Sequence, residues 1–260
     1  MSTTLDIRRP SPHVAEVWLN RPEVRNAFND GVINELTASF ERLGGDDSLR
    51  AIVLGGHGKS FCAGADLSWM RAMAGYRWEQ NQADAAGLAQ MLWTVYRCPV
   101  PVVGRIHGDC YAGGVGLAAV CDVLVAAEGV NFCLSEARLG LLPATIAPYV
   151  VKALGEQASR RYFTTAERFS AAQAQALGLV HEVVAAEALD AKVAEIVAAL
   201  VANGPAAVRA CKRLVQDVAG RTIDTALRDD TARRIADIRA SPEGREGVQA
   251  FLDKREPGWK

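Results

Sequence analysis

No apolar run in this chain approaches the roughly 20 residues that a membrane-spanning helix needs, and the polar start Met1-Ser2-Thr3-Thr4 lacks a secretory pattern. The expectation is a soluble, cytoplasmic protein with no membrane partner. Charge of one sign is also missing. With 29 Lys and Arg against 30 Asp and Glu there is no broad basic field, which argues against a sequence-independent nucleic-acid binder. The six cysteines (62, 98, 110, 121, 133 and 211) have no paired ligand spacing, in a chain too long to need disulfide staples. They read as small buried hydrophobes. There is no metal signature and no Gly-x-Ser-x-Gly elbow, and Ser135 has no His/Asp partner pattern, so a serine hydrolase is disfavoured. Low-complexity linkers and repeats recognisable by identity are absent as well.

What is present is a chain of 260 residues, half of them hydrophobic, enough to bury a core as one large domain or a domain with an extension. The stretch that organises it runs from Ile106 to Asp122, following the apolar segment Pro99 to Val103. A hydrophobic run, a glycine-rich turn and an Ala/Val/Leu stretch read as a buried strand entering a helix with little side-chain bulk in its first turn. Glycines at 113, 114 and 116 admit a ligand to backbone N–H groups at the positive end of that helix. Taken alone, such a cluster is equally compatible with close packing of helix on sheet.

In chain order, Val14 to Leu19 reads as a strand leading into a polar loop that carries Arg21 and Arg25. Val32, Ile33, Leu36, Phe40 and Leu43 recur at helical spacing, with Asn29 or Asp30 as cap and Gly44-Gly45 as stop. Ala51 to Leu54 is a short strand followed by a second small-residue turn, Cys62-Ala63-Gly64-Ala65-Asp66. Ser68 to Arg97 is helix-like and rich in large side chains, among them Trp69, Trp78, Met91 and Trp93, which fit either a core or the wall of an apolar pocket. Val123–Ala127 and Asn131–Leu134 read as strands around Glu128-Gly129. Strand and helix signals alternate to about residue 185, which argues for an α/β domain. Beyond it the chain turns helical, with a stripe from Leu189 to Leu200 ended by Asn203-Gly204-Pro205. This divides the chain into an α/β core over 1–200 and a helical region over 201–260.

Two turns that present backbone amides past small side chains can together make an oxyanion hole. In such a hole, removal of one donor commonly costs on the order of 3 kcal/mol of transition-state stabilisation. A proton-moving group would complete the chemistry. Taken alone, Glu136, on the loop after the strand ending near Leu134, reads as solvated surface. Asp109 precedes the glycine turn and is expected to be structural.

The segments Leu19-Asn20-Arg21-Pro22 with Asn26-Ala27, Phe61 to Leu67, His107-Gly108 with Ala112-Gly113-Gly114 and Cys121-Asp122, and Glu136 with Leu139 to Pro143 resemble the enoyl-CoA hydratase/isomerase (crotonase) superfamily in order and spacing. The resemblance extends through Ala171 to Val180 and the tail Phe251, Lys254-Arg255 and Pro257, covering essentially the whole chain. It implies a crotonase-type spiral of ββα units with a C-terminal helical region that builds trimers, often paired into hexamers, and an acyl-CoA thioester as substrate. Coenzyme A is then part of the substrate, with no separate cofactor and no metal. By position, the amides of Ala63 and Gly114 would hold the thioester oxygen and Glu136 would move the proton. Arg25 and Ala27 would lie along the CoA phosphates and adenine, and Ala65, Asp66 and Leu67 beside the nucleotide. Phe251 and Lys254 would reach CoA bound to a neighbouring subunit.

Gly116 departs from the two-glutamate hydratases, which carry their other acid/base group at this position. The stretches Leu141 to Val150 and Arg160 to Phe169 resemble bacterial methylglutaconyl-CoA hydratases and their isohexenylglutaconyl relatives. The resemblance therefore implies a hydratase acting on a 3-branched enoyl-CoA. A Δ3-Δ2-enoyl-CoA isomerase is the alternative within the fold, and a non-catalytic CoA- or RNA-binding scaffold the alternative of another class.

Overall fold

The computed structural model describes residues 4–260. An N-terminal hairpin, β1 (Leu5–Ser11) and β2 (Val14–Leu19), leads through a polar loop into α1 (Asp30–Gly44). The Asn29 side chain accepts the Val32 N–H and caps α1, whose stripe Val32, Ile33, Leu36, Phe40 and Leu43 is buried. β3 (Ala51–Gly56) pairs in parallel with β2 and is buried along its whole length, as an apolar run covered on both faces must be.

From β3 onward each coil of the chain gives one strand to each of two sheets. β3 is followed by β4 (Ser60–Cys62), β5 (Val102–Ile106) by β6 (Asp109–Tyr111), and β7 (Val123–Ala127) by β8 (Asn131–Cys133). The first members join β1, β2 and the later β10 (Glu182–Val184) in a six-stranded sheet of order β1-β2-β3-β5-β7-β10. The second members, with β9 (Arg168–Ser170), form a four-stranded sheet of order β4-β6-β8-β9. This is the spiral of ββα units that the resemblance implies. β6 is a strand that the glycine-rich stretch conceals.

Between the first two coils lie α2 (Leu67–Met73) and α3 (Trp78–Arg97), two helices where the sequence suggested one continuous segment. The aromatic residues divide between two environments: Trp69 and Met91 are core, whereas Trp78 is 74% exposed and Trp93 50% exposed. They do not form a single pocket wall. α4 (Gly113–Ala119) follows β6, and α5 (Ala147–Leu154) and α6 (Glu156–Thr165) lead to β9 and α7 (Ala171–Ala176).

α8 (Leu189–Ala202) packs on β3, β5 and β7, so it belongs to the core, and the chain breaks at Asn203-Gly204. The helices beyond are α9 (Pro205–Val218), α10 (Thr225–Ala240) and α11 (Pro242–Leu252). α9 is tied to the sheet by Lys212, whose Nζ lies 2.6 Å from Asp122 Oδ2 and 3.3 Å from the Val100 carbonyl. Arg209 donates to the carbonyls of Asp46 and Leu49. Among the described residues no single helix is long and apolar enough to cross a membrane, and no cluster of three or more His, Cys, Asp or Glu could hold a metal.

Candidate active site

β4, β6 and β8 are parallel neighbours, so their C-terminal ends share one edge of the small sheet. That edge receives the turn 62–66, the start of α4 and the 3₁₀ turn Glu136–Leu139. Ligands commonly bind where parallel strands end, because the helix and loop starts there leave backbone groups unpaired.

The hydrogen bonds decide which amides are free. Phe28 and Ala65 form an isolated parallel bridge in which Phe28 N–H donates to Gly64 O and Asp66 N–H donates to Phe28 O. In this geometry the N–H of the central residue points away from the partner. Ala65 accordingly finds no acceptor among the described residues. Ala63, expected from the sequence to be a free donor, is not one: its N–H donates to the Arg25 carbonyl at 3.0 Å.

At the second turn, Ala112 sits at φ 48°, a conformation costly for a residue with a Cβ, and its N–H donates to Cys133 O at 2.8 Å. The next amides, Gly113 and Gly114, have no described acceptor. Gly114 is buried, and a Cβ there would stand 2.7 Å from the Cys62 carbonyl. Gly113 is only half-buried. The two turns touch, since a Cβ on Gly64 would lie 2.8 Å from Ala112 Cβ and 3.7 Å from Gly113 N. The accessible unpaired amides are therefore those of Ala65 and Gly113. Nothing in a run of Ala and Gly distinguishes them from Ala63 and Gly114 before the hydrogen bonds are known.

Glu136 opens its 3₁₀ turn directly after β8, and its carbonyl accepts the Leu141 N–H at 3.1 Å. Oε2 is buried and has no hydrogen-bond partner among the described residues. Burial pushes this carboxyl above its ordinary pKa. A carboxylate desolvated in this way is a stronger base than a hydrated one. Position 116 holds no second acid: Ile146 fills the space, with its Cγ2 2.1 Å from where a Cβ on Gly116 would stand. Asp109 binds Tyr111 Oη and the Asn131 amide, the structural role expected of it.

The residues assigned to the nucleotide divide into free and engaged groups. Arg25 is exposed, with φ 54°. Ala27 is buried, and its carbonyl accepts from Arg21 Nη1 at 2.7 Å, so its side chain offers no ligand surface. Asp66 is buried and caps α2 through the Ser68 N–H, binding the Ser68 hydroxyl as well and pairing with Arg21 Nη2 at 2.7 Å. Its carboxylate is thus structural. Leu67 is exposed, and so are Phe251 and Lys254 at the end of the chain.

The bond from the Ser68 hydroxyl, aided by Arg21, holds Asp66 down to a pKa of about 2. A depressed carboxyl stabilises the fold above the unfolded pKa of about 3.9, and that contribution is lost as pH falls toward 2. Arg21→Met is expected to lower stability at neutral pH by about 1–3 kcal/mol, since it takes the charged partner from a buried carboxylate and leaves it only the two Ser68 bonds. It should also flatten the acid limb between pH 4 and 2, read by urea titration across pH.

Residues 10–260 match the sequence profile of the enoyl-CoA hydratase/isomerase family. The chain belongs to this family. An enoyl-CoA hydratase from Shewanella pealeana is 39% identical over 98% of this chain and 96% of its own, with a TM-score of 0.95. Pseudomonas aeruginosa AtuE is 37% identical over 98% and 99% of the two chains, with a TM-score of 0.94. The mevalonyl-coenzyme A hydratase of Aspergillus fumigatus is 33% identical over 96% of this chain and 93% of its own. The protein is thus an enzyme of the enoyl-CoA hydratase/isomerase family with the crotonase fold.

Proposed function

We propose that the enzyme adds water to a 3-branched 2-enoyl-CoA thioester such as 3-methylglutaconyl-CoA, or removes it in the reverse direction. The observation that carries this reading is the meeting, on one sheet edge, of two unpaired amides and one half-buried carboxylate whose buried oxygen has no partner. The thioester oxygen accepts from the N–H groups of Ala65 and Gly113. Glu136 takes a proton from water as the water oxygen bonds to C3, and the electron pair of the C2–C3 double bond moves onto the thioester as an enolate. Glu136 then returns that proton to C2, leaving a 3-hydroxyacyl-CoA. One carboxylate serves both steps.

The branched acyl group draws support from the resemblance of residues 141–150 and 160–169 to methylglutaconyl-CoA hydratases, and from a relative named for mevalonyl-coenzyme A, itself branched at C3. Another relative, 29% identical, is named as the 2,3-dehydroadipyl-CoA hydratase of Escherichia coli, which adds a distal carboxylate to the range. Isomerisation is the second reading, favoured by the closed position at Gly116, because a single carboxylate also suffices to carry a proton between C4 and C2.

Turnover of a panel of enoyl-CoA thioesters, followed by product mass, tests both readings. The expected result is a gain of one water with 3-methylglutaconyl-CoA faster than with crotonyl-CoA. Faster hydration of crotonyl-CoA would reject the branched substrate, and double-bond migration without mass gain would reject hydration.

The exposed tail fits contact with a second copy of the chain in a trimer or hexamer, since Phe251 is 82% exposed and Leu252 66% exposed. If Lys254 reaches a neighbour's CoA, Lys254→Ala should raise KM severalfold with little change in kcat, the sign of lost uniform binding. An unchanged KM would remove the tail from the site.

A further inference from the structure

At the opposite end of α4 from Gly113 lies a separate cavity of about 200 Å³. Helix rise puts the two ends of α4 about 10 Å apart. Tyr96, Tyr149, Lys152 and His181 line the cavity together with small and apolar residues, and no carboxylate lines it. Lys152 Nζ donates to Tyr96 Oη at 2.8 Å, which leaves the Tyr96 O–H proton and further ammonium protons unused. The ring of Tyr149 packs against that of Tyr96 at 5.3 Å, and its hydroxyl has no hydrogen-bond partner among the described residues. His181 Nδ1 accepts the Leu124 N–H at 2.9 Å, so in the neutral ring the proton is on Nε2 and the side chain is again a donor. The neighbouring carboxylate, Asp122, is engaged by Lys212 and by the Val102 amide.

Four donor side chains and no carboxylate acceptor around one concave space make a site for an electron-rich head group. One lysine neutralises one negative charge, and the two half-buried phenol rings offer flat apolar surface, whereas Leu124 and Leu179 are almost wholly buried. The volume equals the share of roughly six or seven waters in the liquid, enough for a head group with a short body. We propose that this cavity binds a small monoanionic carboxylate with a flat apolar body, its carboxylate on Lys152 and the tyrosine hydroxyls. The occupant would touch the C-terminal end of α4, whose first turn carries the Gly113 amide.

The test uses benzoate as probe and the uncharged benzamide as control, by titration calorimetry on the full-length enzyme with and without saturating coenzyme A. Saturable benzoate binding that persists with coenzyme A present is expected, weakened at least tenfold by Lys152→Met and severalfold by Tyr149→Phe. Benzamide should bind at least tenfold more weakly. Absence of saturable benzoate binding, equal binding of benzamide, loss of binding when coenzyme A is added, or an unchanged affinity in Lys152→Met would each overturn the assignment. These readouts need no turnover, so they stand or fall apart from the proposed hydration.

Discussion

Glu136→Gln is expected to lower kcat by at least about two orders of magnitude while leaving the fold intact, since general acid–base catalysis contributes 10²–10⁴-fold. Glutamine keeps the shape of the side chain, but it cannot take a proton from water. The pH profile supplies an independent signature. Because burial raises the Glu136 carboxyl, the acid limb of kcat/KM in the hydration direction should have its midpoint above the pKa of an ordinary glutamate, and activity should rise with pH as the base ionises. Stability moves the other way. A carboxyl whose folded pKa is raised contributes stability below its unfolded pKa, and that contribution disappears as pH rises through the folded value. Glu136→Gln should therefore melt at a higher temperature than the parent at neutral pH, because it removes a half-buried charge whose buried Oε2 has no partner. Full hydration activity in Glu136→Gln would eliminate the single-carboxylate mechanism. Loss of activity together with a lower melting temperature would show that the side chain is structural.

The second large effect is expected at Gly116. A Cβ there would stand 2.1 Å from Ile146 Cγ2 and 2.6 Å from Ile146 Cβ, and Ile146 is itself buried. Within a helix, replacing Gly by Ala ordinarily stabilises by about 0.5–1 kcal/mol. Here overpacking outweighs that gain, and Gly116→Ala should destabilise by about 1–3 kcal/mol. Gly116→Glu should fail to give folded protein, because neither the methylenes nor the charge has anywhere to go. Pairing Gly116→Ala with Ile146→Ala should recover part of the loss, giving a favourable coupling above about 1 kcal/mol in a denaturant double-mutant cycle. Additive effects would mean that the two residues do not press on each other. The second acid is thus excluded by two positions together, a glycine on α4 and a hydrocarbon side chain at the start of α5.

Much of the scaffold is legible in the sequence because periodicity and capping are local. β2 occupies the expected Val14–Leu19, Asn29 caps α1, and α8 ends at the Asn203-Gly204 break. Three residues of β6 inside a glycine-rich run carry too short a pattern to show, and the division between α2 and α3 is concealed by helix-like composition on both sides. Glu136 could be named through the family resemblance, since by itself a glutamate after a strand reads as solvated surface. The amides could not, since every residue from Ala63 to Ala65 and from Ala112 to Gly114 is Ala or Gly, and a bridge to distant Phe28 determines which N–H is left over. Ala27 and Asp66 were expected to face ligand but are engaged by Arg21. A local signal did exist for Asp66: an Asp immediately before Leu67, the first apolar residue of a helix, is an N-cap pattern.

The spiral also separates what must stay fixed from what is free to vary. The turn after β4, the start of α4 and the Glu136 turn are each anchored by pairing within the small sheet, whereas α2 and α3 lie between the first and second coils, pair with no strand, and join the frame through packing and through the side-chain bonds at Tyr96 and Arg97. Lengthening or shortening the connection at residues 74–77 would leave all three anchored pieces in register, because no strand pairing passes through it. A change of chain length at that connection can therefore be absorbed without retuning the reactive edge.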